Sequence, residues 1–223
     1  MTTLQQYRRD YTGEFVVTST KFEDGKKTQV REWIPNPISN HHISKRAAVI
    51  GSRNGADAFD HRRLARHRGG LMGNLRLQTY GTGDLWKDMR FDFYATYNFF
   101  EIPKIADTEY PEKTIVYTSS KHVVENPGQF YLVPFQPRIN SIALPLYMAA
   151  FDGHQEIFLL GYNRETHQTH NHSWANDINL IFESFRDVKF WLVGSEAVMY
   201  DQWRNNRNVD CMLPRRFITY CDI

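Results

Sequence analysis

Residues 47–55 of the chain read Ala47-Ala48-Val49-Ile50-Gly51-Ser52-Arg53-Asn54-Gly55. The four apolar residues are typical of a strand that is buried on both faces, as in a parallel sheet. A polar turn with two glycines follows, and residues 57–67 then have a helical pattern. A strand, a tight turn and a helix in this order predict the first unit of an alternating α/β fold.

The chain from residue 45 onward continues this alternation. Residues 174–186 place their large apolar side chains on one stripe with a period near 3.6, which predicts an amphipathic helix. Strands that alternate with helices predict a mainly parallel sheet with helices on both faces. We expect strands at 47–50, 75–80, 92–96, 113–117, 129–133, 156–160, 188–193 and 216–220, and helices at 57–67, 83–89, 141–152 and 174–186.

The first 44 residues have a different pattern. Two runs rich in β-branched and aromatic residues flank Asp24-Gly25, a pair that favours a type I′ turn because both positions need a positive φ. Pro35 and Pro37 then end regular structure. We predict an N-terminal β-hairpin arm over residues 1–44 and an α/β domain with a C-terminal tail over residues 45–223.

Composition excludes several classes of protein. The chain has 223 residues, of which 41% are hydrophobic, enough for a core that needs no disulfides or metal. Cys211 and Cys221 are the two cysteines, so we expect neither a disulfide framework nor a zinc pattern. The N-terminus lacks the apolar core of a signal peptide, and the longest apolar stretch, 142–151, is too short to span a bilayer. We expect a soluble protein in a reducing compartment, with no membrane partner.

The turn after the first strand is the first candidate binding site. Backbone N–H groups at such a turn face an anion, Ser52 and Asn54 offer hydrogen bonds, and Arg53 can pair with a phosphate. Gly51 would allow the sharp turn, and Gly55 the close approach of a ligand. The spacing differs from the dinucleotide fingerprint, so a tight turn without a ligand is the alternative.

A second polar turn follows the next predicted strand. It contains Gly81, Thr82, Gly83 and Asp84. If the two strands are neighbours, the two turns together would enclose a nucleotide. The alternative is a simple helix start, with Asp84 favourably placed near the N-terminus of the helix.

Three separated segments together resemble one family. Residues 50–55 resemble a Gly-x-Gly-Pro-Ser turn, and residues 80–88 resemble a Tyr-Gly-Cys-Asn-Ala-Leu-Tyr-Arg-Asp segment. Residues 141–163 resemble a Ser-Gly-x-x-Ala-Leu helix followed by a Gly-x-x-Glu-Ile-x-Leu-Leu-Gly-x-Asp strand. The pattern, over residues 45–195, is similar to the Rossmann-type family of flagellin motility-accessory factors, hydroxymethylpterin pyrophosphokinase-like proteins and, more distantly, some sialyltransferases. Short members occur in tailed phages.

The resemblance implies a Rossmann-like fold and a phage-encoded, transferase-like protein that binds a nucleotide or nucleotide sugar. It adds Ser141 and Asn163 to the ligand contacts of the two turns. Two acidic residues of the family pattern are replaced here by Asn98 and Asn163, and Ile142 replaces a glycine. Losing two carboxylates removes the obvious ligands of a divalent cation, so we assign no metal ligand and leave Mg²⁺ open. Glycosyltransferase-like and pyrophosphokinase-like reactions both remain open. We expect the protein to act in the host cytoplasm.

Three histidines, His167, His170 and His172, lie within six residues beyond a predicted strand. Imidazole nitrogens can bind a transition metal or act as a general base near pH 7. The spacing fits no standard zinc pattern, and a polar surface loop is the alternative. Because ligands bind at the carboxyl ends of parallel strands, these histidines are the best candidates for a catalytic base.

Two further functions remain open. One is a non-catalytic phage structural or assembly protein, in the virion or tail, that contacts phage components or copies of itself through its arm and tail. Tyr200 and Trp203 in that tail suggest a docking segment rather than a core helix. The other is a nucleic-acid-binding accessory protein, because residues 45–90 carry ten Lys or Arg and four acidic residues. A solvated helix face explains that charge equally well.

Overall fold

The computed structural model describes residues 4, 14–35, 44–51, 60, 63–64, 77–162, 173–195 and 199–223. Within these ranges the elements alternate along the chain as the sequence predicts. The strands are β1 (Glu14–Glu23), β2 (Lys26–Pro35), β3 (Arg46–Ile50), β4 (Gln78–Gly81), β5 (Phe93–Ala95), β6 (Ile115–Thr118), β7 (Tyr131–Leu132), β8 (Glu156–Leu160), β9 (Lys189–Val193) and β10 (Val209–Met212). The α-helices are α1 (Glu101–Ala106), α2 (Tyr110–Lys113), α3 (Ser120–Glu125), α4 (Leu144–Phe151), α5 (Ser173–Ser184), α6 (Asp201–Arg204) and α7 (Pro214–Cys221), and a 3₁₀ helix spans Gly83–Lys87.

Eight of the strands form one sheet in the order β10-β9-β8-β3-β4-β5-β6-β7. All of its pairings are parallel, which confirms the predicted parallel sheet. The chain winds from β3 outward to β7, returns to β8 on the other side of β3, and then winds outward to β10. The direction of winding therefore reverses between β3 and β8. In open α/β sheets such a reversal marks the crevice where ligands bind.

Helices cover both faces of the sheet, as predicted. Ala47 and Val49 of β3 enter a core that also contains residues of α4, α5 and α6. Ala48 and Ile50 enter a second core on the opposite face, with residues of α1, α3 and α7. Burial on both faces explains why β3 and β8 read as continuous apolar runs.

The N-terminal hairpin is a separate two-stranded sheet of β1 and β2. Asp24 and Gly25 have φ values of 50° and 75°, which confirms the predicted type I′ geometry. Residues 20–29 are exposed, and Phe22 is 73% exposed. Upstream of the hairpin, Leu4 is buried in the core that contains α4, so part of the first 44 residues belongs to the packed domain.

The C-terminal residues differ from the prediction. The predicted strand at 216–220 is the helix α7, because Pro214 stands at the start of the helix and Phe217 and Cys221 form one buried stripe, four residues apart. Trp203 is fully buried, and its Nε1 donates a hydrogen bond to the carbonyl of Ala175 at 2.9 Å. The expectation that Trp203 lies outside the core was therefore wrong.

Candidate functional site

The carboxyl ends of β3, β4, β5 and β8 lie side by side in the sheet. We call this region the carboxyl edge, comprising Gly51, residues 81–84, residues 96–100, residues 161–162 and the crossing segment 140–143. The N–H of Gly51 donates a hydrogen bond to the carbonyl of Leu160 at 3.0 Å, so the end of β3 is joined to the end of β8. The strands that precede the two candidate turns, β3 and β4, are neighbours in the sheet, which meets the condition stated for the two turns.

The ring of Tyr162 occupies the space beside Gly51. A Cβ atom at position 51 would lie 2.7 Å from Tyr162 Cζ, a distance that side chains do not tolerate. The φ of Gly51 is not in the left-handed range. The glycine is therefore required by packing against Tyr162 and not by the sharp turn that the sequence suggested.

The two glycines of the second turn are needed for different reasons. A Cβ atom at Gly81 would lie 2.4 Å from the ring of Phe91, so this position needs a glycine for packing. Gly83 has φ +67°, and a Cβ atom there would meet nothing within 4 Å. A glycine at 83 serves the backbone turn into the 3₁₀ helix, whose first turn carries the exposed Asp84.

A short segment, residues 140–143, crosses the carboxyl edge and is held by hydrogen bonds from three strand ends. The Thr82 hydroxyl donates to the Ser141 carbonyl at 3.1 Å, and the Tyr97 N–H donates to Ser141 Oγ at 3.0 Å. The Tyr162 hydroxyl donates to the Ile142 carbonyl at 2.8 Å. The structure thus brings the predicted residues Thr82 and Ser141 into direct contact, and it adds two tyrosines that the sequence analysis missed.

The buried tyrosines of this region are neutral, and the hydroxyls of Tyr162 and Tyr94 donate hydrogen bonds. Burial raises the pKa of Tyr162 and of Tyr97 above the ordinary range, and the nearby Tyr147 adds to the effect at Tyr97. Burial also raises the pKa of Tyr94, whose hydroxyl donates to the carbonyl of Gly83. Among the described residues of the edge, hydroxyl and peptide groups therefore supply most of the hydrogen bonds that hold the local structure.

Asn98, which replaces an acidic residue of the resembled family, has a structural role here. Its Oδ1 accepts the Phe100 N–H at 3.0 Å, and its own N–H donates to Thr96 Oγ1 at 3.1 Å. Its carbonyl accepts the N–H of Glu101 at the start of α1. The side chain is thus engaged in the turn that begins this helix.

Several predicted site residues lie outside the described ranges. They are Ser52, Arg53, Asn54, Gly55, Asn163, His167, His170 and His172. The three histidines and Arg53 therefore keep their roles as predictions. Within the described residues, no group of three or more His, Cys, Asp or Glu side chains is arranged to hold a metal ion.

A buried polar network lies away from this edge, near the amino ends of β3 and β8. The Tyr80 hydroxyl donates to Asp152 Oδ2 at 2.6 Å and lies 2.9 Å from His154 Nε2. His154 Nδ1 lies 2.9 Å from the carbonyl of Ser44, which can only accept, so this nitrogen carries a proton. All four residues are fully buried, and the network ties the residues between α4 and β8 to the central strand β4.

Part of the predicted basic surface is neutralised. Arg46 Nε donates to Glu156 Oε2 at 2.8 Å, and its guanidinium stacks on the ring of Tyr220 at 4.3 Å. Burial alone would raise the pKa of Glu156, but hydrogen bonds from Arg46, Tyr220 and Trp191 lower it below the ordinary value. This cluster joins α7 to the sheet, and the charge of Arg46 is paired with that of Glu156.

Comparison with known proteins does not identify a family for this chain. Searches against family models, curated proteins and solved structures found no match. No helix of the described ranges has the length and apolar character needed to cross a lipid bilayer. Function therefore has to be argued from the carboxyl edge itself.

Proposed function

We propose that the protein binds a nucleotide or nucleotide sugar at the carboxyl edge and is transferase-like. The observation that carries this proposal is the reversal of strand order between β3 and β8, with Gly51 at its carboxyl side. Crevices at such reversals are the usual ligand sites of open parallel sheets. The residues that follow Gly51 in the sequence, Ser52 to Gly55, supply donors and one arginine for a phosphate.

The geometry of the edge favours a shaped and rigid site. Segment 140–143 is fixed by bonds from Thr82, Tyr97 and Tyr162, and a further bond joins the Asn140 N–H to Asp177 Oδ2 at 2.8 Å. Residues held this firmly lose little conformational entropy when a ligand binds. Tyr162 fills one side of Gly51, so the ligand would lie along the outside of the edge, on the side of Gly51 away from that ring.

The chemistry of the proposed transfer rests on the polar residues after β3 and β8. Arg53 and backbone N–H groups would neutralise the phosphates, and one of His167, His170 and His172 would act as the base toward an acceptor hydroxyl. The resembled family uses acids where this chain has Asn98 and Asn163. We therefore expect phosphate binding that depends little on Mg²⁺.

A thermal-shift titration with UDP-, CMP- and GDP-sugars, with and without Mg²⁺, tests the proposal. At a hundredfold excess over its Kd, a ligand adds about 2.7 kcal/mol to the free energy of unfolding. For a chain of this size that corresponds to a rise in Tm of about 5 °C or more. Arg53→Ala should abolish most of the shift, whereas Arg216→Ala, an exposed arginine on α7, should leave it unchanged. No shift with any of these ligands would contradict the proposal.

A non-catalytic assembly protein is the second candidate, and the β1–β2 hairpin favours it. A two-stranded sheet is marginally stable in water by itself, and this one exposes residues 20–29, including Phe22. Such an arm is suited to pairing with another chain. Light scattering over a range of concentrations tests self-assembly: a mass that rises with concentration, and falls with Phe22→Ser, supports it. A constant monomer mass together with absence from purified virions would rule out this candidate.

A further inference from the structure

Two adjacent phenylalanines, Phe99 and Phe100, stand exposed at the carboxyl edge. Their side chains are 59% and 65% exposed, and their ring centroids are 3.9 Å apart. Leaving two large rings in water forgoes the free energy that burial would supply. The pair follows β5, on the same edge of the sheet as Gly51 and Thr82.

The loop that carries the pair is held rigidly. Thr96, fully buried, accepts the Asn98 N–H, and Asn98 in turn accepts the Phe100 N–H. One residue earlier, the Tyr97 N–H donates to Ser141 Oγ, in the segment that crosses the edge. The two rings are thus attached to the framework of the proposed site and presented to solvent in one place.

The spacing of the strands that precede the two ends of the proposed site is comparable with the length of a nucleotide. Neighbouring parallel strands lie about 4.8 Å apart, so β3 and β5, which are separated by β4, are about 10 Å apart. A nucleoside diphosphate has a comparable length between its terminal phosphate and its base. A base has a π face of its own and stacks on aromatic side chains irrespective of its identity.

We propose that Phe99 and Phe100 form the stacking platform for the base of the nucleotide bound at the carboxyl edge. This inference rests on the proposed function, and it assigns the base end of the ligand to the loop after β5. The platform discriminates nucleotides from simple phosphates and gives little preference among bases, since stacking requires no hydrogen-bond match.

The test compares two probes, uridine diphosphate and inorganic pyrophosphate, by calorimetric titration. The variant Phe99→Ala/Phe100→Ala should weaken uridine diphosphate about tenfold or more, the loss typical of one stacked base. Its Kd for pyrophosphate should stay within twofold of the wild type. Phe22→Ala, a phenylalanine of similar exposure at the hairpin tip, is the matched control and should change neither value. Phe100→Trp should retain the affinity for uridine diphosphate.

The other outcomes overturn the inference in distinguishable ways. If wild-type protein binds both probes with equal affinity and the double variant changes neither, the platform is wrong but the phosphate site stands. If the double variant weakens both probes equally, the loop supports the site structurally and does not stack on a base. If the double variant changes the mass measured by light scattering, the pair is a protein contact. If the wild type binds neither probe, the proposed function fails together with the platform.

Discussion

Tyr162 lies against the α-carbon of Gly51 so closely that a methyl group there would be 2.7 Å from the ring. Gly51 directly follows β3 and Tyr162 lies two residues beyond the end of β8, and between these two strands the winding of the sheet reverses. The hydroxyl of the same tyrosine donates to the carbonyl of Ile142, in the segment that crosses the edge. The side chain of Tyr162 therefore links the end of β8 to the end of β3 and to the segment that precedes α4.

We predict that Gly51→Ala destabilises the protein by about 1–3 kcal/mol, because the added methyl group would overlap the fully buried ring of Tyr162. Urea denaturation followed by circular dichroism gives this value. The destabilisation caused by Gly51→Ala should be smaller in a Tyr162→Leu background, since that change removes the ring. It should be undiminished in a Tyr162→Phe background, because the ring remains. Equal destabilisation in all three backgrounds would mean that the glycine serves another purpose.

The sequence predicts the α/β fold because central strands such as β3 and β8 are buried on both faces. Ile157-Phe158-Leu159-Leu160 reads as one apolar run, and in the structure its residues enter the two cores alternately. Such runs predict strands but not their order in the sheet, and β10 (Val209–Met212) was not among the predicted strands. The helix α7 was mistaken for a strand because a segment of eight residues allows either periodicity, and only its start at Pro214 indicates a helix.

The candidate site is less predictable for a physical reason. The glycines at 51 and 81 suggest a ligand in the sequence, yet both make room for an aromatic ring from a distant position, Tyr162 or Phe91. Such long-range packing has no local signature. The contact between Thr82 and Ser141 joins residues 59 positions apart and depends on the fold of the whole sheet. The one signal available in the sequence was Tyr162, which follows the buried strand β8 and Gly161.

Tyr80→Phe should lower the free energy of unfolding by about 1–3 kcal/mol. The change leaves the buried groups of Asp152 and His154 without the hydroxyl that joins them. Tyr131→Phe is the control, because that side chain is half-buried and belongs to the short strand β7. A Tyr80→Phe protein as stable as the control variant would show that the network contributes nothing to folding.

Stability should fall as the pH rises above about 10. Burial raises the pKa of Tyr80 well above its ordinary value, Asp152 adds to this, and burial does the same at Tyr162. In the unfolded chain these groups lose their protons near pH 10, whereas in the folded state they keep them, so alkali favours unfolding. Each such tyrosine contributes a slope of about 1.4 kcal/mol per pH unit.

Urea titrations at pH 8, 10 and 11 measure that slope. Tyr162→Phe should reduce it by the contribution of one tyrosine, whatever its effect on stability at pH 8. The absorbance of ionised tyrosine at alkaline pH should appear together with unfolding for the buried residues. A slope that is unchanged in Tyr162→Phe would mean that this hydroxyl ionises as readily in the folded protein as in the unfolded chain.

The first residues and the hairpin should respond differently to substitution. Leu4→Ala should cost about 2 kcal/mol or more, because Leu4 is buried in the core that contains α4. Phe22→Ser should change the free energy of unfolding by less than about 0.5 kcal/mol, because that ring is in solvent. Denaturant titrations of the two variants measure both changes in the free energy of unfolding. The reverse order of effects would mean that the hairpin tip is a packed element and Leu4 is not.

Hydrogen exchange in the presence of a nucleotide sugar tests the location of the site most directly. Wild-type protein is incubated with saturating UDP-, CMP- or GDP-sugar, and the exchange of its backbone amides is followed by mass spectrometry. We predict that peptides containing residues 49–58, 80–84, 96–100 and 140–143 exchange more slowly with ligand. Peptides from the hairpin and from α7 should not change. Protection confined to the hairpin or α7, or no protection with any of the three ligands, would contradict a nucleotide site at the carboxyl edge.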